Sequence, residues 1–117
     1  MARLPVAGEN AAIAAVLVPG TTYYLSLHSA DPGTTGASEL TGGGYVRQAY
    51  VPTAAAAGAE SNTASITVPN AGTVPATHIG IWTTATVGTY LIGAALGSTV
   101  TAASIQFAAG AASFSAS

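Results

Sequence analysis

Glycine, proline and asparagine interrupt this chain so often after residue 20 that the segments between them suit short strands and turns. Residues 22–28 are rich in β-formers and alternate in character, with Tyr23, Leu25 and Leu27 on one face and Tyr24, Ser26 and His28 on the other. Asp31-Pro32-Gly33 marks a turn, and Gly36 with Gly42-Gly43-Gly44 keeps the following stretch in loops. Residues 45–51 make a second strand. Residues 54–62, alanine-rich and polar at their end, read as a loop with room for a helical turn. Ile66 and Val68 alternate with Ser65 and Thr67, and Ile79 and Ile81 alternate with His78, Gly80 and Trp82. Residues 89–96, 104–108 and 111–115 complete a set of about six or seven strands, which implies an all-β fold: an antiparallel β-sandwich or a small barrel.

One helix is expected, ahead of the strands. Asn10 is placed to cap a short helix over residues 11–18, ended by Pro19-Gly20, with Ile13, Leu17 and Val16 as its apolar stripe. About two turns of helix cannot stand alone and must dock on something. The sequence therefore divides into an N-terminal arm with a short helix, residues 1–20, and a β-sandwich domain, residues 21–117. The arm is the expected docking element, and Ile13, Leu17, Tyr45 and Trp82 are the candidate interface residues.

Charge narrows the choice of partners. Only 5% of the residues are charged, against roughly 25% in ordinary soluble domains. They are Arg3, Glu9, Asp31, Glu39, Arg47 and Glu60, with a net charge of −2. A monomer so sparsely charged has little electrostatic protection from association, so a homo-oligomer is expected, with a trimer one candidate. Two arginines far apart cannot neutralise a phosphate backbone, so no nucleic-acid partner is expected. The absence of cysteine excludes disulfides and thiolate metal sites. The apolar run at residues 11–18 is far short of the roughly 20 residues a membrane span needs, so no membrane partner is expected either.

No constellation in the sequence calls for catalysis. Ser26, His28 and Asp31 invite a hydrolase reading, but Ser26 and His28 share one strand face, whereas a triad brings its base from a separate element. There is no G-x-S-x-G elbow. His28, His78 and Asp31 lack the paired spacing of metal ligands, and the glycine-rich stretches are followed by no lysine, so no metal and no cofactor are expected. Arg47 is the one cation after Arg3, and it is expected to pair with Asp31 or Glu39 and pin the loop over residues 29–44. The aromatics Tyr23, Tyr24, Tyr45, Tyr50, Trp82 and Tyr90 read first as core or interface residues. A carbohydrate-binding face is their second reading, with a host glycan as the ligand.

The run from Tyr24 through Leu25-Ser26-Leu27-His28-Ser29-Ala30-Asp31-Pro32-Gly33, continued by Thr35–Glu39 and Gly43–Gln48, resembles a family of small virion proteins of tailed bacteriophages, described as tail-fibre-like or minor structural proteins. Thr77-His78-Ile79-Gly80-Ile81-Trp82, Gly88-Thr89-Tyr90-Leu91 and Phe107-Ala108-Ala109-Gly110 follow in the order of that family. The resemblance implies a virion component with a β-sandwich-like fold and no catalytic residues. It also implies that His28, Asp31, Glu39 and Arg47, with the turn residues Pro32 and Gly33, hold loop and strand together. The chain departs from the family at Ser29, where Thr is expected, at Ser38, where Asn is expected, and at Thr83, where an acidic residue would cap a turn. The small size and the lack of shaft repeats favour a decoration protein seated on the major capsid protein. A tail-fibre or tail-tip component that contacts the host surface is the alternative.

Overall fold

The structure, a computed structural model, describes residues 6–41, 44–56, 58–69, 75–101 and 104–115. Among these, the helix α1 (Val6–Val16) precedes the strands β1 (Tyr23–His28), β2 (Gln48–Tyr50), β3 (Ala59–Ser61), β4 (Ile66–Pro69), β5 (Ala76–Trp82), β6 (Tyr90–Val100), β7 (Ser104–Phe107) and β8 (Ser113–Ser115). Every pairing is antiparallel. β2, β1, β5 and β6 form a four-stranded sheet in that order, while β3 pairs with β8 and β4 with β7. The all-β antiparallel expectation holds. The sheets stay open among the described residues, so the barrel alternative is not adopted.

One core joins the three sheets. Leu25 stands opposite Ile81 and Leu27 opposite Ile79 across β1 and β5. These four share a buried cluster with Ile66, Val68, Ile105 and Phe107 of the β4–β7 ribbon and with Phe114 of β8. Tyr50 of β2 meets Phe114 edge-on, with ring centroids 5.6 Å apart, and donates its hydroxyl hydrogen to the Ala112 carbonyl at 2.9 Å. Burying each such side chain stabilises the fold by roughly 1.5–3 kcal/mol, which is how short strands with few large residues hold together.

The helix differs from its sequence reading in extent and in role. It begins at Val6 rather than residue 11, so Asn10 lies inside it and does not cap it. The Asn10 side chain instead accepts a hydrogen bond from the Gly58 N–H at 2.6 Å, fastening the helix to the start of β3. Gly8 weakens the local helix signal by about 1 kcal/mol relative to alanine, and tertiary packing overrides it. Ile13 and Leu17 are fully buried in the chain's own core. They are not free interface residues, and the helix that carries Ile13 is packed into the domain through them.

Two strands also depart from expectation. β3 falls within the stretch read as a loop, because a three-residue strand centred on Glu60 has no alternating apolar pattern and is defined by its pairing with β8. β6 runs past residue 96 to Val100, through Gly97 at φ 85°, a conformation that glycine adopts without strain.

Candidate functional site

The alternation of β1 sends Leu25 and Leu27 into the core and Ser26 and His28 to the opposite face, where polar residues ordinarily meet water. Here Ser26 and His28 are fully buried. The cover is a strap formed by residues 29–41. It turns at Asp31-Pro32-Gly33, where the Asp31 Oδ1 accepts the Gly33 N–H at 2.8 Å. It then runs back along β1, with Ser29 N–H donating to the Ser38 carbonyl at 3.0 Å and Leu40 N–H to the Leu27 carbonyl at 2.9 Å.

Beneath the strap lies a chain of hydrogen bonds whose direction follows from the chemistry of its ends. Trp82 Nε1 only donates, and it lies 2.9 Å from Ser26 Oγ. The Ala37 carbonyl only accepts, and it lies 2.7 Å from His28 Nδ1. His28 is held below its ordinary pKa, burial being the main cause and the Ala37 bond opposing it only in part. The ring is therefore neutral, with its hydrogen on Nδ1, and Nε2 accepts the Ser26 hydroxyl hydrogen at 2.7 Å. Each polar atom in this chain has its partner.

Missing side chains make room for it. Gly80 is opposite Ser26 in the β1–β5 register. A methyl group at Gly80 would lie 2.8 Å from His28 Nε2, 2.9 Å from Ser26 Oγ and 2.9 Å from a Tyr90 ring carbon. Gly36 of the strap, at φ 76°, sits on Trp82 so closely that a Cβ would come within 2.5 Å of the ring. Tyr90 completes the packing, edge-on to Trp82 at 5.3 Å and to His28 at 6.2 Å between ring centroids.

Arg47 clamps the outer end of this arrangement. Its Nε and Nη2 donate to Glu39 Oε2 and Oε1, each at 2.8 Å, a two-point pairing. Nη1 reaches the tip of the β5–β6 hairpin and donates to the Thr84 carbonyl at 3.0 Å and the Val87 carbonyl at 2.7 Å. The guanidinium carbon lies 3.8 Å from the centroid of the Trp82 ring. Tyr45 donates its hydroxyl hydrogen to Glu39 Oε2 at 2.8 Å and accepts the Leu27 N–H at 3.1 Å. Burial alone would raise the Glu39 carboxyl, but the bonds from Arg47 and Tyr45 outweigh it and hold the group below its ordinary value. Burial pushes the Tyr45 hydroxyl far above its own.

The expected motif is thus assembled in two parts. His28, Glu39 and Arg47 join strand, strap and hairpin tip, and Arg47 chooses Glu39 over Asp31. Asp31, Pro32 and Gly33 shape the turn. Tyr45 and Trp82, expected at an interface, are members of the internal network. Ser26, weighed only with His28 and Asp31, and Tyr90, read as a core or interface aromatic, join Gly36 and Gly80 in a grouping the sequence does not announce; a glycine inside a strand, which often marks close approach, is its one local signal. The Ser26–His28 pair has the spacing of a nucleophile and base, yet both are sealed from solvent and Asp31 is engaged elsewhere. No cluster of three His, Asp or Glu side chains that could hold a metal occurs among the described residues.

A family model described as podophage GP4 fiber I protein gp80 matches residues 9–115. The chain belongs to that family. No curated protein matches it. The gp80 match opens inside α1 and closes at the last residue of β8, so it takes in helix, strap, clamp and both ribbons as one unit. Membership makes the chain a structural component of the phage particle, and the fibre description favours the tail-fibre alternative over head decoration.

Proposed function

We propose that this chain is a non-catalytic module of a podophage tail fibre, which packs against copies of itself and neighbouring tail proteins and presents a stiffened face towards the host. The observation that carries this reading is the gp80 family match over residues 9–115. The buried network supports it, because its donors and acceptors satisfy one another and leave no reactive group facing solvent. Its effect is rigidity: the strap and the hairpin tip are tied to the sheet at several points. The sparse charge supports self-association, as few like charges oppose contact between copies.

Electron cryo-microscopy of the intact particle, with this domain fitted to the density, tests the placement. Density at the tail end is the expected result. Density confined to regular positions on the icosahedral shell overturns the fibre reading in favour of head decoration. Light scattering on the purified chain tests the self-association: a multimer is expected, and a monomer at micromolar concentration overturns it.

A further inference from the structure

A depression of about 230 Å³ lies where the Asp31-Pro32-Gly33 turn leans over the four-stranded sheet. Its floor is the small-residue stretch Gly93-Ala94-Ala95 of β6, and its walls are the Tyr90 ring, the strap turn and His78 of β5. From these groups we infer that the depression is a binding site for one uncharged pyranose ring of a surface glycan. The inference rests on the host-facing reading above and adds a ligand class to it.

The chemistry of the walls selects that ligand. Asp31 is exposed, and only its Oδ1 is engaged within the chain, by the Gly33 N–H; its second oxygen has no partner among the described residues. Nδ1 of His78 is engaged with the Thr77 hydroxyl at 2.8 Å, while Nε2 has no partner among the described residues. A carboxylate and an imidazole above a floor of glycine and alanine suit a ligand with a hydroxyl-bearing edge and a C–H face. The Tyr90 ring supplies the aromatic wall for that face. It is held in place because Gly93 has no side chain: a methyl there would collide with the Tyr90 hydroxyl and approach Pro32 Cγ to 2.8 Å. That hydroxyl is buried without a partner among the described residues, and burial, with the Asp31 charge added, pushes it up to about 12.

Charge and size refine the assignment. No cation pairs with Asp31 among the described residues, since Arg47 is committed to Glu39. The negative field over the depression therefore disfavours acidic sugars. The volume accommodates one ring and opens to solvent, so the rest of a glycan projects away. A larger groove of about 410 Å³ beside Arg47 and Val87 does not compete, because Glu39, Tyr45 and Arg47 in its wall are already bonded to one another.

The test is a titration of the full chain, followed by amide shifts in ¹H–¹⁵N spectra, with glucose, galactose, mannose and N-acetylglucosamine, and with glucuronate as the acidic probe. Saturable shifts centred on Gly33, Gly93, Ala94 and Ala95 are expected for at least one neutral sugar, with a dissociation constant on the order of 1 mM. Asp31→Asn, which keeps an acceptor for the Gly33 N–H, and His78→Ala should each weaken binding by about tenfold in a folded protein. Absence of shifts with every neutral sugar overturns the site, as does equal binding of glucuronate or full affinity in both variants. Because the titration uses the isolated chain, its failure leaves the fibre placement to be decided by the particle density.

Discussion

Gly80 stands directly across from Ser26 in the β1–β5 register, and the space where its side chain would be is filled by the Ser26–His28 hydrogen bond and the edge of Tyr90. Gly80→Ala should destabilise the domain by about 1–3 kcal/mol, the usual cost of overpacking, while leaving the outer surface of the domain as it is. Chemical denaturation checks this. A change below about 0.5 kcal/mol, the size of an ordinary surface substitution, would show that the network has slack the distances do not suggest.

The Arg47 clamp uses the shape of the guanidinium and not its charge alone. One face meets Trp82, two nitrogens meet Glu39, and a third meets two hairpin carbonyls. Lysine supplies the charge without the fork. Arg47→Lys should therefore cost about 2–3 kcal/mol and loosen the hairpin tip, read as faster amide exchange at residues 83–89. Val87 sits at that tip at φ 56°, a strained setting for a β-branched residue, and is 83% exposed. Val87→Gly should relieve strain and raise stability by a few tenths to about 1 kcal/mol. A drop in stability on denaturation would show that the valine side chain packs favourably where it stands.

Two carboxyls of opposite behaviour shape the pH profile. Glu39 is held below its ordinary value, so the stability it contributes is present above the unfolded value of 4.5 and is lost as pH falls through the lower folded value. Glu60 is 1% exposed, neither of its oxygens has a partner among the described residues, and burial raises it. Its contribution is complete below 4.5 and is lost as pH rises through the higher folded value. The Glu60 decline on the neutral side is opposed by His28, whose depressed value costs stability as pH falls below 6.5. Glu60→Met should remove the decline on the neutral side and raise stability at pH 7 by about 1–3 kcal/mol. Thermal melts of both proteins across pH 3–8 decide the matter, and parallel curves would exclude Glu60 as the cause.

How far the sequence discloses this arrangement differs from residue to residue. The core face of β1 is legible because Leu25 and Leu27 alternate with polar residues. The fate of its other face is not, since Ser26 and His28 look solvent-facing until a strap with no periodic signal of its own folds over them. The Arg47–Glu39 pair is legible because few charges compete for Arg47. Its bonds to the Thr84 and Val87 carbonyls are not, because every residue carries a carbonyl and only the fold selects two. β3 is hidden for a related reason: a buried Glu60 runs against every rule of pattern, and its strand exists only through pairing with β8.

The helix provides the sharpest contrast between a docking arm and an integral element. A free arm could be removed without harm to the strands, but Ile13 and Leu17 are fully buried and belong to the same cluster as Phe114 and Tyr50. Asn10 adds a bond to Gly58 at the entrance to β3. Deleting residues 2–18 should therefore abolish cooperative unfolding of the whole domain, and Ile13→Ala alone should cost about 2–5 kcal/mol. Near-ultraviolet circular dichroism, which reports the fixed packing of Tyr50 and the other aromatics, follows both changes. A truncated chain that keeps its aromatic signal and a sharp melt would return the helix to the status of an arm and leave its apolar stripe free for another protein of the fibre.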